Sequence, residues 1–199
     1  MSTDVGAILR EVGAMKEGHF LLSSGRHGDR YIEKFALLMR PSDAAQVCAL
    51  IAERFAGVGV ETVAGPTTGG ILMAFEIARQ LGVRAVYAER ADSGTGREFR
   101  RGATFRPGER VLVVDDILTT GGSIRETLAA LDPHGVQTVG VGVLVDRSGG
   151  RVDFGAPLFA TYQTDIATYA PDDCPLCQQG LPLVKPGTTV APGGQTATA

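Results

Sequence analysis

Four short aliphatic runs, set apart by segments of helical length, constrain this chain more than any other feature. "ETVAG" leads through "PTTGG" into "ILMAFEIARQL", and "VRAVYAE" leads into a long polar stretch; "RVLVVDD" leads through "ILTTGG" into "SIRETLAALD", and "VQTVGVGVLVD" follows. A strand wetted on one face alternates apolar and polar residues, whereas a strand covered on both faces is apolar almost throughout. Such strands alternating with helices specify an α/β fold in which helices flank a parallel sheet. Ligands of these sheets collect at the carboxyl ends of the strands.

Ahead of this pattern, Val5, Ile8, Leu9, Val12 and Met15 recur at helical spacing behind Asp4, a residue suited to capping. "FLLSSGRHGDRYIEKFALL" reads as two short strands around a glycine-bearing turn, and "AAQVCALIAERF" as a helix started by Pro41, Ser42 and Asp43. Residues 91–107 are polar, glycine-dotted and too long for a routine connection, which suggests a mobile functional loop. The end, "KPGTTVAPGGQTATA", is small and polar and is expected to be disordered. With 199 residues the chain fits one domain over 1–185, with a tail from 186 to 199.

A net charge of -3 argues against nucleic acid as the main partner, because phosphate-backbone binders carry a basic surplus. Any bound anion must be held by local cations. Three cysteines make no disulfide framework, and the start lacks the basic and apolar regions of a secretory leader. No apolar run approaches the roughly 18 residues of a membrane span. The expectation is a cytoplasmic protein that binds no membrane.

The segment Asp115, Asp116, Ile117, Leu118, Thr119, Thr120, Gly121, Gly122 and Ser123 joins an aliphatic strand to a helix. One strand-end aspartate would decide little. Two adjacent carboxylates, however, suit neighbouring sugar hydroxyls or a divalent cation, and the glycines let the chain turn so that the first amides of the next helix face an anion. Thr119, Thr120 and Ser123 add hydroxyl donors. Acids for ribose hydroxyls beside amides for a phosphate describe a pocket for a ribose 5-phosphate. Neither G-x-x-x-x-G-K-[ST] nor G-x-G-x-x-G occurs, which disfavours nucleoside triphosphatase and dinucleotide-binding folds.

"VLVVDDILTTGGS" resembles the phosphoribosyl-diphosphate signature of the type I phosphoribosyltransferases, and "GHFLLSSGRHGDRYIEKF" with "VDR" is similar to the orotate phosphoribosyltransferase family in particular. The resemblance covers Gly18 to about Pro186. It implies transfer of the phosphoribosyl group from phosphoribosyl diphosphate to orotate, in pyrimidine biosynthesis, with Mg2+ bound mainly through substrate. It also implies a homodimer, a hood over the base from about 18–40, and a lid over about 89–107 shared across subunits. The nine residues from Asp115 would bind phosphoribosyl diphosphate, with the two aspartates catalytic; Thr119, Arg147 and Tyr31 would meet orotate. Thr67, Thr68, Gly69 and Arg90 would receive the diphosphate, and Arg100 and Arg101 of the lid would stabilise its departure. Two lysines of some relatives are replaced here by Ser23 and Gly69. The alternatives are a phosphoribosyltransferase for another base, or a regulator of the same fold that senses phosphoribosyl diphosphate.

Two further features read more plainly. His27 reads as a polar turn residue rather than a catalytic base. "CPLC" at Cys174–Cys177 has metal-ligand spacing, but a structural zinc site normally takes four ligands and no second pair follows. A structural turn is the expectation, with a zinc site shared between subunits as the alternative.

Overall fold

The computed structural model describes residues 3–22 and 24–186. Asp4 caps α1 (Val5–Glu11) by accepting from the Ala7 amide at 3.0 Å, and the helix stops before Gly13, whose φ is 71°. In chain order there follow β1 (Met15–Leu21), β2 (His27–Ile32), α2 (Lys34–Leu38), α3 (Pro41–Phe55), β3 (Thr62–Pro66), α4 (Gly69–Leu81) and β4 (Arg84–Arg90). Then come β5 (Arg97–Phe99), β6 (Arg110–Leu118), α5 (Gly122–Leu131), β7 (Gln137–Asp146), β8 (Leu158–Gln163), β9 (Thr168–Tyr169) and α6 (Pro175–Gln178). "KFALL" is helical rather than extended: the Glu33 side chain accepts from the Phe35 amide and starts α2.

The residues group into two compact units, one holding 3–14 and 33–165, the other 15–32 and 166–186. In the first unit all four aliphatic runs lie in one sheet, ordered β5-β4-β3-β6-β7-β8. Its strands run parallel, except that β5 pairs antiparallel with β4. The polar stretch after β4 is therefore partly a hairpin added to the sheet edge. Among the described residues, no helix is long and apolar enough to cross a membrane.

Helices cover both faces, as the aliphatic runs require. Val141 and Val143 of β7 join Ala64, Val113, Ile124 and Leu131 in a buried cluster against α5. The alternate residues Gly140 and Gly142 point the other way, toward α3. A Cβ built on Gly140 would lie 2.2 Å from Phe55 Cε1, and one on Gly142 would lie 2.6 Å from Ile51 Cγ2. Absent side chains on β7 thus let α3 lie close to the sheet. Gly140→Ala is expected to destabilise the protein by about 1–3 kcal/mol through overpacking against the buried Phe55 ring. Denaturant midpoints of the two proteins measure it, and equal midpoints would mean the ring has room to move.

The second unit is a three-stranded sheet, β1-β2-β9, with α6. It unites residues 15–32 with residues 166–186, far away in sequence. His27 is not a turn residue: it opens β2, is buried, and pairs with Leu21 and Tyr169 in register. Tyr31 of β2 packs against Phe20, ring centroids 5.8 Å apart. The expected tail, but for Pro186, and Ser23 lie outside the described residues.

Candidate active site

Within the first unit the chain steps from β3 to β4 on one side, then crosses back to β6 on the other. The parallel strands therefore follow the doubly wound order 2-1-3-4-5, and the loops leaving β3 and β6 diverge to open a crevice at the carboxyl ends. The two sequence segments singled out above, Thr67–Gly70 and Thr119–Ser123, are those loops.

Close backbone approach explains the glycines of the first loop. A Cβ on Gly65 would lie 2.1 Å from the Gly70 carbonyl oxygen, and one on Gly69 would lie 1.9 Å from Asp116 Oδ2. The start of α4 can therefore abut the acid at the end of β6 only without a side chain at residue 69. The Thr67–Thr68 peptide bond is cis.

Asp115 and Asp116 are both 5% exposed, and protein donors engage all four of their oxygens. Asp115 Oδ1 accepts from the Asp116 amide at 2.8 Å, and Oδ2 accepts from the Ser123 hydroxyl. Asp116 Oδ1 accepts from the Ile117 amide at 2.7 Å, and Oδ2 lies 2.6 Å from Lys34 Nζ. Burial, then the neighbouring Asp116 charge, push the Asp115 carboxyl up to about 6, against the opposing pull of Ser123, the Asp116 amide and Lys34. Anchored in this way, the pair is held in one orientation at the strand end. Carboxylate oxygens retain lone pairs after one hydrogen bond each.

The loop after β6 turns on a glycine into α5. Gly121 adopts φ 80°, and a Cβ there would also meet Phe154 at 2.9 Å, so both conformation and space demand glycine. α5 follows with no side-chain cap, which leaves first-turn amides facing outward at the positive end of the helix dipole. Thr119 and Thr120 are exposed, whereas the Ser123 hydroxyl is committed to Asp115. The Arg147 amide donates to the Leu118 carbonyl at 2.8 Å, which brings the half-buried Arg147 to the end of β7 beside Thr119.

The arginines divide into two groups. Arg100 pairs with Asp92 and Glu98, and Arg101 with Glu89, so the hairpin's own acids hold both. Arg90 lies 3.8 Å from Glu126 and is largely exposed. Arg97 is the buried member, its side chain 6% exposed: Nη1 donates to Thr67 Oγ1 at 3.0 Å and to the Ala88 carbonyl at 3.1 Å, while Nε lies 3.3 Å from Glu126. Arg97 thus props the loop after β3 from behind. Sequence reasoning chose Arg90, Arg100 and Arg101 and passed over Arg97 and Lys34. The β4–β5 register, Arg90 opposite Arg97, turns Arg97 toward Thr67, and no local pattern announces it. Tyr31 belongs to the second unit and is described with it.

Comparisons with known proteins place the chain in a family. Residues 42–158 match the phosphoribosyl transferase domain. The chain is 48% identical over 185 residues to the orotate phosphoribosyltransferase of Pelotomaculum thermopropionicum, covering 93% of this chain and 96% of the relative. Against the Thermotoga maritima orotate phosphoribosyltransferase it is 44% identical, covering 91% and 96%. The crystal structure of orotate phosphoribosyltransferase from Aeropyrum pernix superposes with a TM-score of 0.68 at 31% identity, over 80% of this chain and 93% of that one. Fold, signature loop and extended likeness coincide, and the chain belongs to the orotate phosphoribosyltransferase family.

Proposed function

We propose that the protein transfers the 5-phosphoribosyl group of phosphoribosyl diphosphate to a ring nitrogen of orotate, giving orotidine 5'-phosphate and diphosphate in pyrimidine biosynthesis. The observation that carries this is the fixed carboxylate pair beside a glycine-hinged anion cradle at the crevice between β3 and β6. Asp115 and Asp116 accept from the ribose hydroxyls, while Thr119, Thr120 and the first amides of α5 hold the 5-phosphate. Thr67, Thr68 and Gly69 receive the diphosphate on backbone amides, and Arg147 offers the planar donor pair that a carboxylate such as orotate's needs.

The bond from the anomeric carbon to diphosphate breaks ahead of bond formation to the nitrogen, so the sugar passes through an oxocarbenium-like state. The chain's contribution is positioning and electrostatics: remote anchoring of the 5-phosphate holds the anomeric carbon in place. Mg2+ held mainly through the substrate would supply charge neutralisation on the departing diphosphate. Arg90, Arg100 and Arg101 serve the same end once the hairpin ion pairs exchange for substrate contacts, and closure excludes water.

A homodimer fits the exposed apolar side chains Phe35, Met39, Leu72 and Phe75, on or beside α2 and α4. The three unpaired cysteines suit a reducing cytoplasm. The test is a panel of bases incubated with magnesium, phosphoribosyl diphosphate and the purified chain. Orotate is expected to be consumed with equimolar diphosphate release. Consumption of a purine instead would reassign the substrate, and binding of phosphoribosyl diphosphate with no base consumed would favour a sensor.

A further inference from the structure

Two histidines and two cysteines of the second unit converge on one point. His19 Nε2 lies 3.0 Å from His27 Nδ1, and Cys177 Sγ lies 3.3 Å from His27 Nδ1 and 3.7 Å from His19 Nε2. Cys174 Sγ lies 3.5 Å from His19 Nε2, and all four atoms fall within 4.8 Å of one another. In a tetrahedral zinc site the metal-ligand lengths are about 2.0–2.1 Å to nitrogen and about 2.3 Å to sulfur, so the edges between ligands come to about 3.3 Å for N–N and about 3.5 Å for N–S. The four separations of 3.0–3.7 Å come close to these edges, and the whole set closes to within 4.8 Å. Two histidines from the other end of the chain thus stand beside "CPLC", where the sequence offered no second pair.

We propose that this protein binds one structural zinc ion through His19 Nε2, His27 Nδ1, Cys174 Sγ and Cys177 Sγ. Four protein ligands fill a tetrahedron and leave no open position, as structural sites do and catalytic ones do not. Two thiolates balance the dication, so the site, buried but for Cys177, is neutral. His19 Nδ1 lies 2.8 Å from the Leu181 carbonyl, a bond that puts the proton on Nδ1 and leaves the Nε2 lone pair facing the centre. Two thiolates with two imidazoles in a tetrahedral array select zinc among the common metals. A two-iron cluster with the same ligands would set sulfurs and nitrogens on different irons, which the short N–S contacts exclude.

The surroundings supply the reason for such an ion. His19, His27 and Cys174 are buried, yet the buried apolar residues of this unit, among those described, are Phe20, Ile32, Ile166 and Cys174 alone. Units of roughly 40 residues rarely stabilise themselves by apolar burial and recruit a metal or disulfides instead. An ion here would tie residues 166–186 to β1 and β2 across a very long intervening loop, where a cross-link constrains the unfolded chain strongly. This inference is independent of the transferase reading.

The test begins with the unaltered full chain, purified without added metal and analysed by mass spectrometry for zinc. One equivalent per chain is expected, and a Cys174→Ser, Cys177→Ser double variant should retain only traces. Because that variant loses a tie that holds the fold, the unaltered chain is also stripped by chelator and titrated with Co2+. Tetrahedral cobalt bands with thiolate-to-cobalt charge transfer are expected, displaced by one equivalent of zinc. A zinc-free preparation with no cobalt spectrum, full zinc in the double variant, or a Cys174–Cys177 disulfide in the freshly purified chain would each overturn the proposal.

Discussion

Replacing both Asp115 and Asp116 with asparagine is expected to lower kcat/KM for phosphoribosyl diphosphate by about 10²- to 10⁴-fold while leaving the circular dichroism spectrum unchanged. A hydrogen bond to a charged group contributes about 1.5–3 kcal/mol, and each 1.4 kcal/mol is about a tenfold effect, so two lost charges give this range. Asparagine keeps the shape and one acceptor, so the contacts with the Asp116 and Ile117 amides survive and the strand end keeps its course. The single change Asp115→Asn carries its own signature. Burial and the Asp116 charge push Asp115 up to about 6, so activity that needs its ionised form falls away as pH drops below about 6. That acid limb in kcat/KM should move in Asp115→Asn. Unaltered kinetics in the double variant would remove the pair from the site.

Arg147→Ala is expected to raise the KM for orotate by about 100-fold and that for phosphoribosyl diphosphate by less than about threefold, because a two-pronged charged hydrogen bond of about 3 kcal/mol is lost from one substrate only. Arg147→Lys keeps the charge and loses the planar pair of donors, so it should recover only part of the difference. Steady-state kinetics with each substrate varied in turn separates the outcomes. Equal increases for both substrates would make Arg147 a support for the loop after β6, whose Leu118 carbonyl already accepts from its amide.

What could be read from the sequence follows the range of the interactions involved. The β3, β6 and β7 strands and helices α3, α4 and α5 were legible because burial on both faces writes itself into consecutive residues. The cradle was legible for a related reason: Gly121 answers a local backbone demand, φ 80° beside Phe154. Lys34 was hidden inside a stretch whose aromatic and aliphatic residues suit a strand, although Glu33 starts a helix there. Arg97 could not be separated from five neighbouring arginines, since strand register decides which of them turns inward. The His19, His27, Cys174 and Cys177 cluster was hidden for the opposite reason, as its halves lie some 150 residues apart and each half alone is a weak signal.

The raised carboxyl of Asp115 has a consequence beyond chemistry. Its value in the folded protein, about 6, exceeds the ordinary carboxylate value, so protonation favours the native state and ionisation above about 6 opposes it. At neutral pH the ionised Asp115 therefore weighs against the fold, through its burial first and the Asp116 charge second. Two carboxylates held at one strand tip thus leave the fold weaker at neutral pH than in mild acid.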